Sequence, residues 1–283
     1  MDTLPPAVYG VLGFPVTHSL SPYMQNAAFK ALGIPAVYKL FEVAPSGLEE
    51  FFCSLEKNHI RGLNVTIPYK ERAMDFVTLP VESNHLHQVK AINTIVFDNG
   101  AWSGFNTDIP GFARHVREYI DPAKKRAAII GAGGAARAVV YVLAHECVSD
   151  ITIYDIDAIK AEQIVRLVKS LFPDFPISVA TSIEALGIAQ SDILINTAPV
   201  GMKPSDPCLV PESMLHGNLF VYDLIYTPAE TKLLAAARAK GCKTANGLKM
   251  LLYQGALSFS YWTKKQAPLD VMWKALQEGA SRA

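Results

Sequence analysis

Residues Arg126–Arg137 read RAAIIGAGGAAR, and this stretch decides the fold of the second half of the chain. The apolar run Ala127–Ile130 stops at Gly131, after which the sequence follows G-x-G-x-x-A through Gly131, Gly133 and Ala136. A short apolar run bounded by glycine and followed by a helical apolar pattern predicts strand, tight turn and helix. Gly131 permits the turn, Gly133 lets the backbone approach a pyrophosphate, and small Ala136 lets helix and strand pack closely. The helix that follows offers unsatisfied N–H groups and the positive end of its dipole to phosphates. A second apolar run, Ile151–Tyr154, ends at Asp155. An acid at that place accepts hydrogen bonds from the ribose hydroxyls of an adenosine. The order strand, turn, helix, strand, acid predicts a bound dinucleotide, held by Gly131, Ala132, Gly133, Gly134, Ala135 and Asp155.

Outward from this stretch, further apolar runs occupy Ile177–Ala180, Ile193–Asn196, Phe220–Leu224 and Lys243–Ala245. Helical patterns such as Ala158–Leu171 and Glu230–Lys240 fall between them. Strands alternating with helices imply a Rossmann-like, doubly wound parallel sheet. Residues 108–249 are therefore expected to form a dinucleotide-binding domain. Residues 1–107 read as a second α/β domain without a glycine-rich phosphate turn. Its strands are expected at Val8–Leu12, Ala36–Val43 and Gly62–Ile67, and its helices at Pro22–Leu32 and Leu48–Leu55. Ile92–Phe97 and Trp102–Phe105 predict a hairpin around Asp98-Asn99-Gly100, because Asn-Gly suits a turn with positive φ. The tail Leu248–Gln277 is helical and aromatic, and residues from about 250 to 283 are expected to pack back on the first domain.

The bulk composition narrows the function classes. Of 283 residues, half are apolar and 18% charged, enough for a sizeable core. Lys plus Arg equals Asp plus Glu at 26 each, which leaves no electrostatic footprint for nucleic acid or an anionic membrane. No apolar run reaches the length of a membrane span, and the start MDTLPP lacks a signal-peptide pattern, so a cytoplasmic location is expected. Cys53, Cys147, Cys208 and Cys242 form no C-x-x-C pair and are expected as reduced thiols. His18, His59, His85, His87, His115, His145 and His216 show no ligand spacing, so no metal is expected.

Three motifs precede the dinucleotide stretch. In GFPVTHSLSP, residues 13–22, Ser19 and Ser21 would face one side of an extended chain and could grip a carboxylate. The simpler alternative is that Ser21 caps a helix with Pro22 in its first turn. In NVTIPYK, residues 64–70, strand parity sends Val65 and Ile67 to the core and Asn64 and Thr66 to a cleft, with Lys70 past the strand end. KAINT (90–94) and GFNTD (104–108) set Asn93 and Asp108 at the two ends of the hairpin region.

The combination is specific. H-S-x-S-P, N-V-T-I-P-x-K, A-x-N-T and N-T-D, in this order ahead of G-A-G-G-A, resemble the shikimate dehydrogenase family. NTAPVGM (196–202), DLIYTPAETKLL (223–234) and NGLKMLLYQGA (246–256) extend the resemblance over nearly the whole chain. It implies reversible hydride transfer between a nicotinamide cofactor and shikimate or 3-dehydroshikimate, a step of chorismate and aromatic amino acid biosynthesis. It also implies that Lys70 is catalytic and that Asp108 partners it. Ser19 and Ser21, with Thr66 nearby, would bind the substrate carboxylate; Asn93, Asp108 and Gln254 would bind ring hydroxyls. Met202, Gly247 and Met250 fall in loops that resemble those near the nicotinamide.

Two details bear on specificity. Quinate-preferring relatives tend to carry Thr at the second serine, so Ser21 favours shikimate. NADP-using relatives typically show Asn-Arg-Thr after the second strand, whereas this chain has Asp155-Ile156-Asp157. With no arginine and two carboxylates, NAD is expected over NADP, although NADP stays open on family grounds and Lys160 is the cation best placed to favour it. An NAD-dependent quinate/shikimate dehydrogenase of quinate catabolism is the alternative reading. A non-catalytic module sensing NAD and a cyclitol acid is a third, and such a protein would have lost Lys70 and Asp108. The expected partners are small molecules, and the assembly a monomer or homodimer.

Overall fold

A computed structural model describes residues 6–80 and 89–282, which leaves His85 and His87 outside the described residues. The chain divides into two compact units, one running through Asp108 and resuming at Leu251, the other spanning Ile109–Met250.

The first unit holds β1 (Ala7–Gly13), α1 (Ser21–Ala31), β2 (Ala36–Glu42), α2 (Leu48–Cys53), β3 (Ile60–Val65), β4 (Thr94–Asp98) and β5 (Ala101–Phe105). Its sheet has the order β2-β1-β3-β4-β5. β1 runs parallel to both neighbours, with Leu12 opposite Val65, while β3, β4 and β5 are antiparallel. The hairpin turn forms as its sequence demands: Asn99 and Gly100 both take positive φ, 49° and 78°, and Asp98 pairs with Ala101. Leu12, Leu63, Val65, Ile92 and Ile95 lie in the core of this unit.

The second unit contains α3 (Asp108–Arg117, shared at its first residue), β6 (Arg126–Ile130), α4 (Gly134–His145), β7 (Asp150–Tyr154), α5 (Ala158–Leu171), β8 (Ile177–Val179), β9 (Ile193–Asn196), β10 (Phe220–Asp223), α6 (Lys232–Ala239) and β11 (Lys243–Asn246). All six strands are parallel in the order β11-β10-β9-β6-β7-β8. Strand parity divides the apolar residues between two cores. Ile129, Ile195 and Tyr222 enter one, and Ile130, Leu194 and Val221 the other. A sheet covered on both faces needs such continuous apolar runs, and each buried Ile, Leu or Val contributes roughly 1.5–3 kcal/mol.

The tail forms two helices, α7 (Leu248–Thr263) and α8 (Leu269–Ala280). Lys264 takes a left-handed φ of 56°, and Pro268 precedes α8. A left-handed residue followed by proline ends one helix and starts the next. From Leu251 on, α7 belongs to the first unit. Trp262 donates its indole N–H to the Ile95 carbonyl at 2.9 Å and lies over Gly62, where a Cβ would come within 2.3 Å of the ring.

Candidate active site

In the first unit, the Lys70 ammonium lies 2.6 Å from an Asp108 carboxylate oxygen, and the two side chains are only 12% and 7% exposed. The hairpin explains the convergence of Asn93 and Asp108. Because Thr94 pairs with Phe105, the chain before β4 and after β5 leaves the sheet at one end. Asn93 then donates its amide N–H to Asp108 Oδ1 at 2.9 Å and to Gln254 Oε1 at 3.2 Å. The orientation of that amide is fixed, since the Thr107 backbone N–H can only donate and reaches Asn93 Oδ1 at 2.6 Å. Asp108 opens α3, where the helix dipole favours a carboxylate. Lys70 is held by its own carbonyl, which accepts from the Ile92 N–H at 2.8 Å.

Ser19 and Ser21 stand between β1 and the start of α1, and Thr66 follows β3, its N–H donating to the Leu12 carbonyl of the adjacent β1 at 2.9 Å. Two local readings need correction here. Leu20 is helical rather than extended, so strand parity does not relate the two serines. Nor is Ser21 the cap: it is the first residue of α1, 4% exposed, and its N–H donates to Ser19 Oγ at 3.3 Å. The parity of NVTIPYK likewise fails past Val65, where β3 ends. Ile67 is 56% exposed and Tyr69 takes the core position instead. Asn64 is buried, not facing a cleft, and joins Tyr38 Oη and Ser258 Oγ at 2.8 and 2.9 Å.

Sequence reading missed this second layer. Ser258 is fully buried and bonds Thr94 Oγ1 at 2.8 Å and Thr107 Oγ1 at 3.2 Å, directly behind Asn93. A signal was present, because Ser258 lies four residues beyond Gln254 and so on the same face of α7.

The second unit supplies a different kind of site. Gly131 has φ 97°, and a Cβ there would lie 2.6 Å from Thr197 Oγ1 and 2.7 Å from the Ala198 nitrogen. A Cβ on Gly133 would meet nothing within 4 Å, and α4 starts there with no side-chain cap. Open space over uncapped helix N–H groups fits a pyrophosphate. Gly134 and Ala135 form the first turn of α4, Ala132 is buried in the turn, and Ala136 is fully buried against the sheet. Gly247 is explained by packing, since a Cβ would sit 2.0 Å from the Leu224 carbonyl oxygen. Met250 belongs to the sheet core, and Met202 lies half-buried in the loop after β9.

Two buried titratable groups organise this unit. Asp223, at the end of β10, accepts from Asn196 Nδ2 at 2.9 Å, Thr231 Oγ1 at 2.7 Å and the Ile225 N–H at 3.1 Å. Burial pushes its carboxyl above the usual range against the pull of those donors. His115 on α3 shares a 2.7 Å hydrogen bond with Tyr222 Oη, and burial lowers its imidazole to about 4. Among the described residues, no helix is long and apolar enough to cross a membrane, and no group of three His, Cys, Asp or Glu is placed to hold a metal ion.

A sequence profile of the shikimate dehydrogenase substrate binding domain matches residues 11–95, and one of the shikimate 5'-dehydrogenase C-terminal domain matches residues 247–277. A Methanopyrus kandleri protein named shikimate dehydrogenase (NADP(+)) is 40% identical over 96% of this chain and 95% of its own. This chain belongs to the shikimate dehydrogenase family. A Dehalococcoides mccartyi family member of the same name is 39% identical, with 97% of this chain and 96% of that one aligned. The crystal structure of shikimate dehydrogenase from Aquifex aeolicus shares 34% identity at a TM-score of 0.88, covering 98% of this chain and all of that one (100%).

These relatives correct the expected preference for NAD. The full-length matches are named for NADP. The structure gives the physical reason why the acidic sequence misled. Asp155 does not present a bare carboxylate beyond β7: its two oxygens accept from the Ala132 N–H at 2.6 Å and the Asp157 N–H at 2.8 Å. Asp157 in turn caps α5 by accepting from the Ile159 N–H at 3.1 Å and pairs with Lys160 at 3.6 Å. Both acids are thus engaged by the local backbone, and Asp157 also by Lys160, rather than standing bare.

Proposed function

We propose that the chain is a shikimate dehydrogenase that interconverts shikimate and 3-dehydroshikimate with NADP. The first unit would bind the acid and the second the nucleotide. The observation that supports this reading most is the Lys70–Asp108 contact at 2.6 Å, with Asn93 and Gln254 beside it. NADP would be held at the Gly131–Gly133 turn and the start of α4, where it would supply the acceptor for the hydride of the carbon that bears the reacting hydroxyl. The chain's own residues must remove the hydroxyl proton as that happens. Lys70 is the group placed to accept this proton, and in the reverse direction it returns one to the carbonyl oxygen. Asp108 orients the amine and accepts from a substrate hydroxyl. Asn93, locked by Thr107, holds Asp108 and Gln254 beside the reacting hydroxyl through its two amide N–H donors, and Gln254 completes the set. Ser19 and Ser21, with Thr66, hold the carboxylate at the ends of β1 and β3.

Buried polar groups of this kind reject analogues that leave them unpaired. Ser21 at the second serine supports shikimate over quinate. The test is a spectrophotometric assay of the two acids with NADP, read at the absorbance of reduced nicotinamide. The proposal expects kcat/KM for shikimate to exceed that for quinate by about tenfold or more. Absence of NADP reduction with shikimate would overturn it.

A further inference from the structure

We propose that Asp206 is a positioning residue that sets the loop Thr197–Lys203, and with it Met202, against the glycine-rich turn. The inference rests on the nucleotide reading of the second unit. It starts from the strand order. β6 stands where the order reverses, with β7 and β8 on one side and β9, β10 and β11 on the other. In open α/β sheets the ligand lies outside the carboxyl ends of the strands at that point. β6 leads there into Gly131 and β9 into Thr197. The β7 side faces the adenosine half of a dinucleotide, so the loop after β9 faces the nicotinamide half.

The start of that loop is tied to the turn. Thr197 donates its backbone N–H to the Ile130 carbonyl at 2.7 Å and its hydroxyl to the Gly131 carbonyl at 3.0 Å. Beyond Val200 the backbone has left the sheet, and Gly201 turns away with φ 116°. Asp206 supplies the missing partner. One of its oxygens, Oδ2, accepts from the Gly201 N–H at 2.8 Å and from the Lys203 N–H at 3.0 Å, the two amides that flank Met202. The Asp206 carbonyl accepts from Lys232 Nζ at 2.6 Å, which anchors the far end of the loop to the start of α6. The Gly201 and Lys203 amides hold the Asp206 carboxyl below the usual carboxylate range, so it stays ionised at neutral pH. Without it, Gly201–Lys203 must be ordered when the nucleotide binds, and the entropy of ordering weakens binding.

The test is calorimetric titration of two probes into wild type, Asp206→Ala and Asp206→Asn. NADP engages both halves of the crevice; adenosine 2′,5′-bisphosphate carries the adenosine end alone. Asp206→Ala should weaken NADP about tenfold while the bisphosphate changes by less than about twofold. Asp206→Asn, whose amide oxygen still accepts both N–H groups, should recover most of the NADP affinity. Unchanged NADP affinity in Asp206→Ala overturns the proposal, and so does an equal loss for both probes, which would mark general damage. Asp206→Ser gives the same comparison should the alanine variant unfold. A wild type that binds neither probe removes the nucleotide reading and the proposal with it.

Discussion

The Lys70–Asp108 cluster of the first unit and the glycine-rich turn of the second are built from opposite materials. Lys70, Asp108, Asn93 and Gln254 meet through side chains, and Asn93 and Gln254 are fixed from behind by hydrogen bonds to Thr107 and Ser258. The turn at Gly131–Gly133 offers backbone to its open side, and what distinguishes it is the absence of Cβ atoms at the two glycines. Substitutions should therefore act differently in the two places. In the first they remove chemistry from an intact fold, and in the second they insert atoms where backbone or phosphate must pass.

The largest effect belongs to the side-chain site. Lys70→Ala should lower kcat by about 10²–10⁴ with NADP affinity unchanged, measured by steady-state kinetics and nucleotide titration. Wild-type turnover would break the comparison at its first term. The turn offers a sharper contrast, because its two glycines differ. Gly133→Ala places a methyl group in open space at an ordinary negative φ of −81°. It should leave the thermal midpoint within about 2 °C of wild type yet raise the KM for NADP by about tenfold. Gly131→Ala meets Thr197 and Ala198 below 3 Å at a φ of 97° and should destabilise the fold by about 2–3 kcal/mol in denaturant unfolding. If both substitutions cost stability equally, the turn is not a backbone cradle of the kind described.

A smaller effect concerns pH. The His115 imidazole titrates near 4 in the folded chain against its ordinary 6.5 because burial disfavours the cation. Between those values the unfolded chain binds a proton that the folded chain excludes. This contribution is therefore fully present above about pH 6.5 and is lost as pH falls toward 4, by about 3 kcal/mol. Urea unfolding at stepped pH should show this slope, and His115→Gln should flatten it.

Legibility followed the same division. RAAIIGAGGAAR predicted strand, turn and helix because periodicity and glycine spacing are local signals, and β6, the turn and α4 follow it. Asp98-Asn99-Gly100 was equally plain, since few residues other than Asn and Gly take two positive φ values in a row. Strand parity failed where the strand ended, so Ile67 points outward and Asn64 inward. Asp155 misled for a related reason: its sequence position is right for a ribose partner, but only the fold shows that the Ala132 and Asp157 N–H groups already donate to its two oxygens. Thr107 and Ser258 went unnoticed because only the fold brings these distant residues into one buried hydroxyl layer, although Ser258 stands one helical turn beyond Gln254.

The proton-handling claim is tested most directly by a double-mutant cycle on kcat across Lys70→Ala and Asp108→Ala. Groups that act as one unit give strongly non-additive losses. The double variant should then be no more than about threefold slower than the slower single variant. Losses that multiply in full would contradict a joint role for the amine and the carboxylate.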